Sequence, residues 1–379
     1  MTVSMSPRIS LIGSAAALCL ALAGCVQPQT GAIQQPPGAP SLTTIPLTSL
    51  PGWADDNIAA ALTTFVRSCK IIQVMPADQS LGGSDNPYAQ QTAGQAGLWQ
   101  NACNGAEAVP PNDDTAARAY FTAYFTAYQI GDNALITGYF EPQYPGSKNL
   151  KPGFTVPLYA KPADPALASL SRADIDHGAL VRKTPVTAYL ADPVDAFMLQ
   201  IQGSGRIMLQ NGTILRVGFD GQNGQPYVPI GHIMVAAGDL QPNDVSYQTI
   251  SAWLKAHPDQ ATAIMEQNSR YVFLRPLGPL PDDEGAPGTL GVPVTAGRSL
   301  AVDNADIPLG TPVFVSTTDP ISGNPLNRLT IAQDTGGGIH GASAADLFFG
   351  SGPDAEATAG RMQQQGKLFI LLPRPTPAS

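Results

Sequence analysis

Apolar positions first recur at helical spacing over Ile58, Ala61, Leu62, Phe65, Val66 and Cys69, stepping i, i+3, i+4, which predicts an amphipathic helix. A second helix is expected after Pro111, with Asp113 or Asp114 near its N-terminus. Along it Tyr120, Phe121, Tyr124, Phe125 and Tyr128 make an aromatic stripe, which reads as core packing. From Ile136 to about His232 the pattern changes to short alternating runs broken by Pro and Gly. It predicts strands over 136–140, 154–160, 196–201, 207–209 and 213–217. Helical spacing returns over 244–267, with Tyr247, Ile250, Trp253 and Leu254 on one face. Strands are expected again over 271–274, 292–296, 300–302, 313–315 and 329–332. A last helix is expected over 353–365, with Pro353 in its first turn and Gly366 just past its end, before a buried strand at 368–372.

This order suggests a β domain, 136–239, inserted between two pieces of another, 53–135 and 240–379. The cleft between them is the natural place for a substrate. Composition agrees: 38 Gly and 36 Pro make the chain turn-rich, favouring short strands over long helices.

Residues 11–24 are apolar behind one basic residue, Arg8, and too few to span a bilayer, so 1–24 reads as a signal peptide. The run ends in Leu22-Ala23-Gly24-Cys25, which resembles the lipobox of bacterial lipoproteins, with Cys25 as the lipidated residue. The alternative is an ordinary signal with an accidental cysteine. Val26, in place of the Asp that signals inner-membrane retention, points to an outer-membrane lipoprotein facing the periplasm. Residues 25–52, rich in Pro, Gln, Thr and Gly, read as a lipidated N-terminus and flexible tether. Cys69 and Cys103 are then left to pair as a disulfide in an oxidising compartment. Nothing nearby offers further ligands, so no metal site is expected. A net charge of −9 without a basic cluster argues against nucleic acid as a partner.

The densest chemistry is Gln333-Asp334-Thr335-Gly336-Gly337-Gly338-Ile339-His340-Gly341, followed by Ala344-Ala345-Asp346-Leu347-Phe348-Phe349-Gly350. The glycines permit close backbone approach to a ligand or turns with positive φ. Asp346 lies among apolar neighbours, where lost hydration raises a carboxyl pKa and keeps a proton available for a leaving oxygen. The plain alternative is a turn-capping residue. Asp334 and Asp303 each follow an apolar strand, and Asp303 could also be a turn former.

These three aspartates, with Ile307-Pro308-Leu309-Gly310-Thr311-Pro312 between them, resemble those of the 3D (three-aspartate) domain. Upstream, Thr137-Gly138-Tyr139-Phe140-Glu141-Pro142, Gln200-Ile201-Gln202-Gly203-Ser204-Gly205, Asn223-Gly224-Gln225-Pro226-Tyr227 and the segment 268–275 resemble the membrane-bound lytic murein transglycosylase A family (MltA). The resemblance runs from about 110 to 372 in the family's order. It implies a mainly β fold with some helices: a double-psi β-barrel carrying the aspartates at about 285–372, a second β-barrel-like domain inserted, and a groove between. It implies cleavage of the β-1,4 bond between N-acetylmuramic acid and N-acetylglucosamine, leaving 1,6-anhydromuramic ends. Asp346 would be the catalytic acid and base, with Asp334 and Asp303 in support. Tyr139, Glu141, Gln202, Gly203, Ser204 and Tyr227 would contact sugar. The partner would be peptidoglycan glycan, with proteins of cell-wall synthesis or lysis as natural associates, and no cofactor is implied. His340 stands where a Lys or Arg is expected, which makes pH dependence a question, while His177, His232 and His257 read as structural.

Two other readings compete. A non-catalytic glycan-binding lipoprotein, as in expansin-like proteins, could use the same barrel without cutting. Asp334-Thr335-Gly336 is also the aspartic-protease triplet, but no second Asp-Thr-Gly or Asp-Ser-Gly is present to share a proton.

Overall fold

The computed structural model describes residues 43–374, so the signal peptide and Cys25 lie outside the described residues. The chain begins with β1 (Thr44–Ile45), α1 (Ile58–Ile72), α2 (Pro87–Ala93), α3 (Gln100–Glu107) and α4 (Asp114–Tyr124). A long strand, β2 (Phe125–Glu141), follows directly. Next come β3 (Gln143–Ser147), β4 (Val156–Tyr159), α5 (Pro165–Ala168), α6 (Arg172–Asp176), β5 (Val186–Leu190) and α7 (Pro193–Gln202). Then β6 (Gly205–Leu209), β7 (Ile214–Gln222), α8 (Ile230–Ala237), α9 (Tyr247–Ala256), α10 (Pro258–Met265) and β8 (Val272–Pro276) complete the middle. The C-terminal part holds β9 (Glu284–Pro287), β10 (Pro293–Thr295), β11 (Ser299–Val302), β12 (Pro312–Thr318) and β13 (Pro325–Thr335). It ends with β14 (Ala344–Ser351), α11 (Pro353–Ala359) and β15 (Gln363–Pro373).

Two barrel-like sheets result. In the first, the order β1-β2-β14-β11-β13-β12-β15 is closed by pairing of β15 back onto β2. Closure leaves no free edge among the six main strands. The second sheet runs β4-β5-β3-β6-β7-β8 and has its own core of Leu158, Ala188, Leu199, Ile207, Val217 and Leu274. The first core unites the barrel interior with α1, where Ile58, Ala61, Leu62, Phe65 and Cys69 are buried at the expected spacing. Asn57 caps that helix by accepting from Ala60 N. Cys69 is bonded to Cys103 on α3.

Several sequence expectations fail for identifiable reasons. Residues 196–201 belong to helix α7, not a strand: Asp192 caps it, Pro193 opens it and Gly203 ends it at φ 76°. Its Val194, Phe197 and Met198 enter one apolar cluster and Ala196 and Leu199 another, so no polar face marks it as helical. The aromatic stripe crosses a helix end, since Phe125 and Tyr128 lie on β2. Residues 230–237 are helical, and Pro258 divides the interval 244–267 into α9 and α10. The last helix stops at Ala359. Residues 363–365 instead pair with 135–137 of β2, and this tertiary ladder overrides the helical preference of Gln. Residues 43–52 are not a free tether: Thr44 pairs with Tyr128, and Leu47 and Leu50 are buried in the first core.

Candidate active site

Strand pairing assembles the site. β11 runs parallel to β13 and antiparallel to β14, and β14 runs parallel to β2. One rung of the barrel therefore reads Asp334, Ala301, Asp346, Thr137. Alternation along a strand decides which face each residue takes. Ala345 and Leu347 join the barrel interior with Ile136, Leu300 and Val302. Asp346 and Ala301 consequently face outward, beside a separate cluster that contains Tyr139, Ile339 and Phe348.

This arrangement corrects the source of the environment around Asp346. Its chain neighbours Ala345 and Leu347 point through the barrel wall and do not desolvate it. Burial under the outer cluster pushes its carboxyl up to about 7, with the Thr137 hydroxyl opposing and the charge of Asp334 adding to the rise. Its Oδ1 is buried and has no hydrogen-bond partner among the described residues. The Tyr227 hydroxyl is held protonated by burial first and by the charge of Asp346 second, so a neutral phenol stands near the acid.

Asp334 is the opposite case. Its Oδ1 accepts from Thr289 N at 3.0 Å, Thr289 Oγ1 at 3.0 Å and Thr335 N at 2.9 Å. Its Oδ2 accepts from Tyr139 Oη at 3.2 Å. Burial raises its pKa, and these bonds work against that rise. Asp303 sits farther out, where Oδ1 accepts from Ala305 N at 3.0 Å and Oδ2 from Gly341 N at 2.8 Å. It is both the turn former and the anchor for the end of the glycine loop.

That loop is glycine-rich because protein side chains lie against it. A Cβ on Gly337 would stand 1.8 Å from Arg270 Nη1, and one on Gly338 3.0 Å from Tyr227. Arg270 is fixed in turn by Nε donating to Gln225 O at 3.0 Å. His340 is exposed. His257 stacks on Trp253, and His177 approaches Glu266 at 3.5 Å, both away from the aspartates.

The remaining candidates separate. Gln202 Oε1 accepts from Phe140 N at 3.0 Å, which holds the end of α7 against the strand carrying Tyr139. Gly203 has open space where a Cβ would lie, and Ser204 is buried. Tyr139 is buried, with its ring 5.0 Å from that of Phe348 and its hydroxyl engaged by Asp334. Glu141 is fully buried. Its Oε2 accepts from Arg206 Nε at 2.9 Å and Arg216 Nη2 at 3.1 Å, and its Oε1 from Ala286 N at 2.7 Å. A carboxylate so occupied serves as a structural tie between the two sheets. Thr289 was missed by sequence reading. It lies 45 positions from Asp334, and nothing in Pro287-Gly288-Thr289 signals a role.

Two cavities open near these elements. One of about 220 Å³ is bordered by Arg206, Asp282, Asp283 and Phe348. Another of about 320 Å³ lies in the second sheet, against Arg172, Asp176 and Tyr271.

Comparison with known proteins gives two family models in chain order: the MltA specific insert domain over residues 135–275 and the 3D domain over residues 298–372. The chain is 32% identical over 251 residues to a membrane-bound lytic murein transglycosylase A from Escherichia coli K12, covering 64% of this chain and 67% of that protein. Among solved structures, a membrane-bound lytic murein transglycosylase from Agrobacterium tumefaciens matches with a TM-score of 0.78 at 26% identity. That match covers 88% of this chain and 98% of the other. E. coli MltA with bound chitohexaose matches with a TM-score of 0.65 at 25% identity, over 89% and 93% of the two chains.

Proposed function

The chain belongs to the membrane-bound lytic murein transglycosylase A family, and from that premise we propose that Asp346 alone serves as acid and base in its reaction. The enzyme is a lytic murein transglycosylase, a lyase acting on peptidoglycan. The chitohexaose bound to the E. coli relative supports a glycan substrate here.

Asp346 gives its proton to the β-1,4 oxygen between N-acetylmuramic acid and N-acetylglucosamine as the C1–O bond breaks. The resulting carboxylate takes the proton of the muramic C6 hydroxyl, whose oxygen bonds to C1. The proton is returned, no water is consumed, and a 1,6-anhydromuramic end is formed. Intramolecular attack avoids the entropy cost of recruiting a separate nucleophile. The observation that carries this reading is the buried Oδ1 of Asp346, unpartnered among the described residues, on a carboxyl whose pKa is pushed up to about 7. Ordinary glycosidases need a second carboxyl group as base or nucleophile. Asp334 is poorly suited to that role because four donors already occupy it. The same occupancy disfavours an aspartic-protease dyad, which requires two carboxyls sharing one proton.

In this reading Tyr139 and Thr289 hold Asp334, Asp303 holds the glycine loop, and Tyr227, Gln202, Gly203 and Ser204 border the glycan path. The two sheets correspond to two domains, the one with the aspartates containing a double-psi barrel. Pairing of β7 with β8 supports an insertion that continues to Pro276, beyond residue 239. Membrane attachment, in keeping with the relatives' name, is assigned to a lipid on Cys25 in the outer membrane.

Mass spectrometry of digested sacculi is the test. Anhydro ends from the wild-type enzyme and none from Asp346→Asn support the assignment. Reducing muramic ends would establish a hydrolase. Binding without products from either protein would favour the glycan-binding alternative.

A further inference from the structure

The cavity of about 320 Å³ in the second sheet contains a side chain that the reaction does not use. Arg172, only 2% exposed, donates from Nε to Asn268 O at 2.8 Å and from Nη2 to Gln200 Oε1 and Arg270 O, each at 2.7 Å. Its guanidinium lies 4.8 Å from the ring of Phe197 and 5.1 Å from that of Tyr271. Position and plane are therefore fixed before any ligand arrives. Nη1 makes no hydrogen bond among the described residues. Its nearest charged neighbour is Asp176 Oδ2 at 3.8 Å, an ion pair too long for a hydrogen bond, with the carboxylate of Glu266 acting on both groups from farther away. Burial raises the Asp176 carboxyl to about 6, with Arg172 working against the rise, so it still carries charge at neutral pH. A buried cation and a partly exposed carboxylate thus stand side by side at the wall of an open cavity, with no hydrogen bond between them.

We infer that this cavity binds an α-amino-acid head group, its carboxylate on Arg172 Nη1 and its ammonium on Asp176. In such a head group both charges sit on one carbon, and their separation matches neighbouring charges 3.8 Å apart. Charge-assisted hydrogen bonds would then complete both protein groups. Phe197 and Tyr271 offer apolar walls for the attached chain. The inference rests on the peptidoglycan reading in one respect. Peptide stems on the glycan carry such head groups on diamino acids, so the cavity would favour peptide-bearing strands over naked ones.

The test uses the full-length enzyme and a tripeptide ending in a diamino acid with its side-chain head group free, in parallel with the same tripeptide acetylated on that amine. Calorimetry should show saturable binding of the free form and at least tenfold weaker binding of the acetylated form. Asp176→Asn should weaken binding at least tenfold. Val181→Trp should do the same by filling the mouth, since Val181 lines the cavity, is 55% exposed and holds no core position. The Val181→Trp enzyme should cleave peptide-free strands at the wild-type rate and peptide-bearing strands with a raised KM. Equal binding of both tripeptides, no binding by wild type, or full binding by Val181→Trp would overturn the inference. Failure of the Asp346 mechanism would appear in the products of Asp346→Asn and would leave tripeptide binding unchanged.

Discussion

Asp334 and Asp346 occupy one rung of the barrel, two strands apart, with Ala301 at the position between them. Their surroundings differ sharply. Asp334 receives four hydrogen bonds, whereas Asp346 keeps Oδ1 buried and, among the described residues, unpartnered. Burial raises the pKa of both carboxyls; at Asp334 these bonds work against the rise, whereas at Asp346 the Thr137 hydroxyl opposes it and the charge of Asp334 adds to it.

Replacing Asp346 by Asn should lower activity by roughly 100-fold or more, because general acid and base catalysis are removed together. Clearing of a peptidoglycan zymogram measures it. Undiminished clearing removes Asp346 from the mechanism.

The same substitution should stabilise the protein at alkaline pH. The folded pKa of Asp346, about 7, lies above its ordinary value of 3.8. Its favourable contribution is therefore complete below about pH 4 and is lost as pH rises through about 7, falling by about 1.4 kcal/mol for each step of one in pH between those limits. The Tm of Asp346→Asn should exceed wild type near pH 8 and converge with it near pH 4. A constant Tm difference across that range would mean the carboxyl is not held neutral.

Activity should follow the same group. With the acid required in its protonated form, kcat/KM should be level at mildly acidic pH and fall about tenfold per pH unit above about 7. A profile still level at pH 9 contradicts Asp346 as the proton donor.

Tyr139→Phe removes the donor to Asp334 Oδ2 and keeps the ring against Phe348. A stability loss of about 1 kcal/mol is expected for one hydrogen bond, with a reduced kcat and an unchanged KM. A raised KM with unchanged kcat would instead make Tyr139 a direct sugar contact.

Glu141→Ala should be the most damaging change to folding. It leaves Arg206 and Arg216 with a buried partner missing, a loss on the order of 3–5 kcal/mol. Denaturant unfolding measures it, and a loss below about 1 kcal/mol would show that water or nearby carbonyls replace the carboxylate.

Much of this was legible before the fold was known. The α1 stripe, the pairing of Cys69 with Cys103 and most strand positions follow from local periodicity and compartment. Helix α7 was not legible because it is packed on two sides: Phe197 and Leu199 serve different cores, and no polar face remains. For Asp346, the direction of its altered acidity was readable and the cause was not. The relevant neighbours, Thr137 and Tyr227, come from distant parts of the chain, and register across strands cannot be read from a single segment. Thr289 lay beyond reach for the same reason.

Arg216 grips the point where the chain leaves the first barrel, at Glu141, and the stretch by which it returns, through Pro281 O and Glu284 O. Departure and return are thus stitched at a single seam. The polypeptide between them, which carries Arg216 itself, is a cassette with its two ends tied together, so its outer loops are uncoupled from the register of the wall that bears the aspartates.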